Sequence, residues 1–473
     1  MFTKDNRLSL IPLIIFTLIL VSSCRKQDKI DSSSSVRLTF STDTVFFDTV
    51  FTTIGSVTQQ LMVHNNYASK IMISSIRLGG GSNSVFSLNI DGTPSTSVSN
   101  VEIAAHDSIF IFVRVTLNPN NKNNPLIITD SILFNTNGNF QKVALVAWGQ
   151  DAYFYKNKKL TGSVTWDSIK PHVIYGYLRV DTNASLTISA GTRLYFHKSA
   201  YLAVSDLATL TVNGDLAHPV RFLGDRLDPY YNDLPGQWDG IYLEKGSRGN
   251  KIMYAIIKNG NFGVSIDSAV NIGQTMLEID NTIIENMIDD DIYAYATNVS
   301  SYNCVLGDCG AASLALDFGG SYEFDQMTIG NYWSNSVRLD SALYLSNYTT
   351  DSIGRKHFNA LTQANFGNII VYGAQDDELS FDNSNLATFN FFFDQCLLKT
   401  NKNTSDVSHF KKCIINKDPG FIDPLNFNYQ IDSISPAIGQ GDFLVGTQFS
   451  AYGYDIMGNY RGSNPDIGAY QHK

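Results

Sequence analysis

The residues of this 473-residue chain best suited to chemistry are carboxylates and aromatic rings, gathered in three short segments. Asp289-Asp290-Asp291 is an aspartate triplet, and paired carboxylates can divide general-acid and general-base work between them. No histidine lies between His218 and His357, however, and the triplet follows an Ile-Ile-Glu-Asn stretch where a solvated turn is expected. A noncatalytic turn is therefore the favoured reading. Asp376-Asp377-Glu378 offers oxygen ligands for calcium but lacks the spaced, glycine-containing loop of a dedicated site, so a solvated turn is expected there too. The third segment, Asp228-Pro229-Tyr230-Tyr231-Asn232-Asp233, leads to Trp238 and sets three rings beside aspartate and asparagine. Flat amphipathic rings with polar neighbours suit the face of a sugar. Tyr230, Tyr231 and Trp238 are the candidate ligand contacts, with Trp238 favoured to pack against the fold instead.

Cysteine chemistry is limited. Cys304, Cys309, Cys396 and Cys413 are too few for a dense disulfide framework. Cys304 and Cys309 are read as flanking a short turn, where they can pair. Cys396 and Cys413 hold equivalent places in consecutive repeats, close enough for a disulfide yet with parallel Cβ vectors that favour two buried thiols. With no neighbouring histidines no metal is expected, nor any cofactor, and all four cysteines are read as structural. A net charge of −10 argues against nucleic acid as a partner.

The positioning elements begin with the N-terminus. Lys4 and Arg7 precede an apolar run over 8–21, too short for a comfortable membrane span and of the length of an export-signal core. It ends in Val21-Ser22-Ser23-Cys24. This resembles the lipobox of bacterial lipoproteins, which implies a signal peptide over 1–23 and lipidation of Cys24. The protein would then sit in the cell envelope, anchored to the outer membrane by acyl chains, with its periplasmic or surface face left open. Residues 24–35 read as a flexible, serine-rich tether.

Beyond the tether, helix-favouring runs are hard to find, and the chain reads as all-β. Apolar-alternating stretches at 61–64, 70–76, 101–104, 108–115, 127–134 and 143–148 predict an immunoglobulin-like sandwich over 36–152. After 165 the texture becomes repetitive. Tyr177-Leu178-Arg179-Val180 returns 24 residues later as Tyr201-Leu202-Ala203-Val204. Ala255-Ile256-Ile257-Lys258-Asn259 is echoed by Thr282-Ile283-Ile284-Glu285-Asn286, by Cys304-Val305-Leu306-Gly307-Asp308 and by Met327-Thr328-Ile329-Gly330-Asn331. Two apolar residues and a polar turn at this period mark a solenoid whose rungs cannot bury their own apolar face alone. Ile257, Ile284, Leu306 and Ile329 are predicted to form one buried ladder. A leucine-rich repeat would show an asparagine ladder in a leucine-dense consensus with helical outer segments, and neither is visible.

Gly236-Gln237-Trp238-Asp239-Gly240-Ile241, with the tail motifs Asp418-Pro419-Gly420-Phe421, Ser435-Pro436-Ala437-Ile438 and Asp466-Ile467-Gly468-Ala469-Tyr470, resembles β-helix lipoproteins of Bacteroidota. The resemblance implies a right-handed parallel β-helix of the pectate-lyase-like superfamily over 160–473, finished by a C-terminal closing element. It supplies no reaction, since members of that superfamily differ in activity. The Gly-His-Gly element of its galacturonan hydrolases is missing, and Arg226-Leu227-Asp228-Pro229 does not match the Arg-x-Pro-x-x-Arg setting of its lyases.

Asp followed by Ser or Thr and an aliphatic or small residue occurs nine times, similar to the O-glycosylation sequon of Bacteroidota envelope proteins. The acceptors would be Thr44, Thr49, Ser108, Ser131, Ser168, Ser268, Ser341, Ser352 and Ser433, although Asp-Ser also commonly opens a strand after a turn. The expectation is a noncatalytic binding or scaffold lipoprotein, with a polysaccharide or an envelope protein as its partner. A β-helix lyase or hydrolase, and an accessory subunit of an outer-membrane assembly, stand as the alternatives.

Overall fold

A computed structural model describes residues 29–51, 55–117, 126–269, 275–450 and 452–473, all in strands, turns and short 3-10 segments. It divides into two compact units, one up to Gln150 and one from Asp151 onward. The expected signal peptide over 1–23 and the expected lipidation site Cys24 lie outside the described residues.

The first unit is a sandwich of two five-stranded sheets. Strict alternation along Ser108–Val115 turns Ile109, Ile111, Val113 and Val115 inward, and Asn139–Gln150 contributes Val143, Leu145 and Ala147 in the same way. Each such side chain contributes roughly 1.5–3 kcal/mol on full burial. Thr44–Phe51 and Phe86–Ile90 are strands that the sequence patterning missed. Thr44–Phe51 runs parallel to Asn139–Gln150, while the other pairings of that sheet are antiparallel.

The second unit is a parallel β-helix: 26 strands in one continuous parallel sheet, with strands pairing two or three positions along the chain so that three faces form. The predicted ladder is present and longer than expected. Leu194, Phe222, Ile257, Ile284, Leu306, Ile329, Val371 and Leu398 are in register on successive rungs of one face, and all are fully buried. A second face stacks Phe324, Phe366, Phe393 and Phe410, with ring centroids 5.6, 4.6 and 5.4 Å apart and planes within 12° of parallel.

Corners between faces are sharp, and residues other than glycine make several of them. Asn281, Asn303, Gln326, Asn368, Gln395 and Lys412 share one turn position on successive rungs, each with φ between 52° and 57°. Asparagine tolerates this left-handed conformation better than most residues. Stacking also lets its amides bond rung to rung, as Asn303 Nδ2 does to Asn281 Oδ1 and Asn286 Nδ2 to Asn259 Oδ1. Asparagine ladders, judged absent from the sequence, therefore do exist, at the corners of a β-helix rather than within a leucine-rich repeat.

The tail motifs close a side of the helix. Outside the ladder face runs a second row, apolar but for Thr328: Ile256, Ile283, Val305, Thr328, Ile370, Leu397 and Ile414. Ile431, Ala437 and Ile467 pack with Ile370 and Leu397, while Tyr429, Ile456 and Ala469 pack with Val305. Gly307 and Gly330 are required where Tyr429 crosses them, since a Cβ at either would meet its ring at 2.6 or 2.4 Å. Cys304, Cys309 and Cys396 are buried free thiols and Cys413 is half-buried and free. Cys304 and Cys309 do not flank a turn as expected: the strand Val305–Cys309 separates them.

Candidate functional site

The C-terminal cover packs on the ladder face; a different face carries Tyr201–Val204, Gly240–Leu243, Val264–Ile266 and the rungs that follow. Its inner row is Leu202, Ile241, Val264, Ile292, Leu314, Leu343 and Leu379, each at most 1% exposed. One residue further along, side chains point outward by the alternation of a strand. That outer row reads Ala203, Tyr242, Ser265, Tyr293, Ala315, Tyr344 and Ser380. A tyrosine thus stands on every second rung, with a small residue between. Ala315 is only 4% exposed, so flanking side chains lie across it. Rings continue the strip: Tyr201 meets Tyr242 edge-on at 5.8 Å, Tyr177 lies 6.2 Å from Tyr201, and Phe262 lies 6.3 Å from Tyr242.

Carboxylates edge this strip on both sides and pin the rings. Tyr293 Oη donates to Asp317 Oδ2 at 2.9 Å, and Ser346 Oγ donates to Asp317 Oδ1 at 2.6 Å. Burial, followed by Asp239 for Tyr242 and by Asp317 for Tyr293, drives both phenols well above their ordinary range. Burial likewise pushes Tyr344 up to about 12. The rings stay neutral and act as fixed hydrogen-bonding platforms.

The aspartate triplet belongs to the opposite edge, and the expectation of a solvated turn fails at Asp291, while Asp289 and Asp290 are half-buried. Its turn is stacked between the preceding rung and the next: Gly263 N donates to Asp290 O, and Ala311 N donates to Asp289 O. Asp291 is fully buried, and burial, then Asp308 and Asp290, holds its carboxyl well above the usual range. Burial first, and then the neighbouring Asp289, Asp340 and Asp317, raises Asp290 to about 7, although Ala312 N donates to its Oδ1. Asp289 is raised less, by burial and Asp239. In Asp376-Asp377-Glu378 the solvated turn holds for the exposed Asp376 and fails for Glu378. Glu378 is fully buried and takes both nitrogens of Arg338 at 2.7 and 2.9 Å, so it is a structural ion pair and not an open turn.

The aromatic insertion does not converge on the tyrosine strip. Trp238 is fully buried, stacked 4.4 Å from Phe196, and donates from Nε1 to Lys258 O. It is a core residue and is removed from the ligand candidates. Tyr230 is 76% exposed, whereas Tyr231 is half-buried beneath Arg226, whose guanidinium lies 5.1 Å from the ring. Tyr231 and Asn232 carbonyls are tied back by Asn259 Nδ2, so the insertion is held to the helix.

Of the Asp-Ser/Thr positions, Ser168, Ser352 and Ser433 are exposed, while Thr44, Ser108, Ser131, Ser268 and Ser341 are half-buried; the side chain of Thr49 lies outside the described residues. The aspartates have a local task. Asp167, Asp351 and Asp432 each accept the N–H two residues on, and Asp107, Asp130 and Asp267 accept the next N–H. These turn-forming contacts give the aspartate a structural role at six of the nine positions. Among the described residues no group of three or more His, Cys, Asp or Glu side chains is arranged to hold a metal ion.

Sequence reading missed the tyrosine row, but a signal for it exists: Tyr242, Tyr293 and Tyr344 recur at steps of 51 residues, two rungs each. No protein-family model and no curated protein matches the chain. Solved structures similar to parts of it include a family 123 glycoside hydrolase from Clostridium perfringens, described for glycolipid glycan hydrolysis. That match has 10% identity and a TM-score of 0.16, covering 22% of this chain and 23% of the hydrolase. Another is the ASH/PapD-like domain 7 of human CEP192, with 10% identity and a TM-score of 0.17, covering 28% of this chain and 94% of the domain.

Proposed function

We propose that the chain is an exported bacterial envelope lipoprotein of the Bacteroidota β-helix type, lipidated on Cys24, which binds an extended neutral glycan along its tyrosine face. The observation that supports this is the row Tyr242, Tyr293, Tyr344 on alternate rungs, with small residues between and the Tyr293 hydroxyl bonded to Asp317. Two rungs span about 9.6 Å, close to the length of two linked sugars, so successive rings meet equivalent faces of a repeating chain. Asp239, Asp289 and Asp317 make the strip repel uronates, which turns the ligand class away from the galacturonans of the wider superfamily. Hydroxyl-rich neutral chains are accepted, because carboxylates and phenols are good acceptors for sugar hydroxyls.

A hydrolytic reading has one observation in its favour. Asp290, raised to about 7, holds a proton near neutrality beside the more open Asp289, which is the division of labour that an acid and a base need. One experiment separates the readings: an array of neutral and uronate oligosaccharides, followed by product analysis, with wild type and Asp289→Asn/Asp290→Asn. Binding of neutral chains without cleavage supports the proposal. Cleavage lost in the double variant replaces it with a hydrolase, and absence of any glycan binding assigns the face to an envelope-protein partner.

A further inference from the structure

The last two rungs of the β-helix set one cysteine directly upon another. Asp394 pairs with Lys411 and Leu397 with Ile414, so Cys396 and Cys413, each one residue before the second pair, are neighbours across the rungs. Both follow a corner residue with the same left-handed backbone, Gln395 at φ 53° and Lys412 at φ 52°, and Ile414 N donates to Cys396 O at 2.8 Å. Equivalent corners turn both side chains toward the apolar interior. Parallel strands lie about 4.8 Å apart, inside the Cα separation of about 4.4–6.8 Å that a disulfide spans. Each sulfur also faces a carbonyl of the rung before: Cys396 Sγ lies 3.2 Å from Phe366 O and Cys413 Sγ 3.5 Å from Phe393 O.

The two thiols differ in access. Cys396 is fully buried, whereas Cys413 is half-buried, and among the described residues no strand of the sheet stacks beyond Ile414–Ile415. A hydrogen bond from Cys396 lowers the Cys413 thiol from its ordinary value against the opposing effects of burial and Asp394, while burial raises Cys396. The other buried thiols have no such neighbour. Cys304 holds the same corner position on an earlier rung, where Thr282 and Met327 stack on it, and Cys309 Sγ accepts from Asn331 Nδ2. We propose that Cys396 and Cys413 are a thiol–disulfide exchange site, which an external disulfide converts into a covalent clamp between the last two rungs. The Cys413 thiolate attacks one sulfur of that disulfide, forming a mixed disulfide and releasing the other half, which takes up the Cys413 proton. Cys396 then gives up its proton and attacks the Cys413 sulfur, breaking the mixed disulfide and releasing the second half as a thiol. Two cysteines are oxidised to one disulfide, and one external disulfide is reduced to two thiols. The clamp fastens an edge of the helix at which its sheet ends. It is separate from the tyrosine face and does not depend on what binds there.

The test is non-reducing peptide mapping of the full chain after exposure to glutathione disulfide and alkylation of the thiols that remain. A cross-linked peptide holding Cys396 and Cys413 is expected, with Cys304 and Cys309 still free. Cys396→Ser is expected to stop at a mixed disulfide with glutathione on Cys413. Cys413→Ser is expected to leave Cys396 unreacted, since the outer thiol is the point of entry. In the oxidised wild type, hydrogen exchange at Ile414 and Asn416, whose amides donate to Cys396 O and Leu398 O, is expected to slow about tenfold or more. Two free thiols after oxidation, a mixed disulfide on Cys413 that Cys396 never resolves, or an oxidised Cys396 in a folded Cys413→Ser variant would each overturn the site. Unchanged exchange at Ile414 and Asn416 would overturn the clamp.

Discussion

Two faces of the same β-helix have nearly interchangeable inner rows and opposite fates outside. The ladder face presents Ile283, Val305, Ile370 and Leu397 outward and is covered by the protein's own C-terminal segment. The tyrosine face presents Tyr242, Tyr293 and Tyr344 outward, all half-buried, with carboxylates along its edges. Inner rows decide that a rung forms and stacks, because each must bury its apolar side against the other faces. The outer row decides what the finished surface receives. An aliphatic row demands a dry partner and finds one in cis, whereas a row of amphipathic rings is stable half-wet, as the proposed glycan-binding role requires.

The largest expected effect removes what the two faces share. Ile284→Asp puts a charge in the fully buried ladder, with apolar neighbours Ile257 and Leu306 above and below. A loss of several kcal/mol is expected, seen as collapse of the thermal transition of the β-helix while the sandwich melts as before. Survival of the transition would mean that the inner rows are not what fixes the rungs.

The covered face should come next. Ile370→Ala removes a fully buried side chain that touches Ile431, Ala437 and Ile467, and a cost of about 2–4 kcal/mol is expected in chemical denaturation. The C-terminal segment should also become the first site of limited proteolysis. If the variant loses less than about 0.5 kcal/mol, the cover is a loose flap and the contrast between the faces fails.

Buried carboxyls make the comparison sensitive to pH. Asp280 is fully buried and Asp325 is 3% exposed, with Gln448 of the C-terminal segment donating to Asp325 Oδ2. Burial first, and then Glu278 and Glu323 respectively, raises each to about 7. Raised carboxyl pKa values mean that the folded chain keeps protons which the unfolded chain releases. The stability from these groups is therefore complete below about pH 4 and is lost as pH rises through about 7. The melting temperature of the β-helix should fall between about pH 4 and 7, and Asp280→Asn should flatten that fall by the equivalent of about 1–3 kcal/mol. An unchanged slope in the variant would show that Asp280 is ionised in the fold.

Legibility from the sequence followed the locality of each feature. Ile257, Ile284, Leu306 and Ile329 were readable because their steps stay near one rung, and the tail motifs because each is a contiguous stretch. The phenylalanine stack was not: from Phe324 to Phe366 to Phe393 to Phe410 the steps are 42, 27 and 17 residues. The hairpin Tyr348–Thr350 with Lys356–Phe358 lengthens the first of them. Asp289-Asp290-Asp291 looked wet because three adjacent acids usually are, yet a turn in a solenoid has another turn above and below it. Glu378 looked wet because its partner Arg338 is 40 residues away in the chain. Solvation in this fold is a property of the stack, which a single rung's sequence does not carry.

The smallest expected effect on stability is also the sharpest test of the open face. Tyr293 is half-buried, its ring lies on the surface of the rung, and its hydroxyl donates to Asp317. Tyr293→Ala removes no inner-row contact, so a cost below about 1 kcal/mol is expected, against the several kcal/mol of Ile284→Asp one face away. Asp317 keeps the Ser346 hydroxyl and gains solvent, which limits the penalty of losing the phenol. Binding should respond in the opposite proportion. Loss of one of three equivalent ring platforms should weaken an extended neutral oligosaccharide about tenfold or more, and a chain too short to reach two rungs should bind weakly to wild type and variant alike. If Tyr293→Ala instead destabilises the helix as much as Ile370→Ala does, the tyrosine row is a packing layer, and the two faces differ only in which residues cover them.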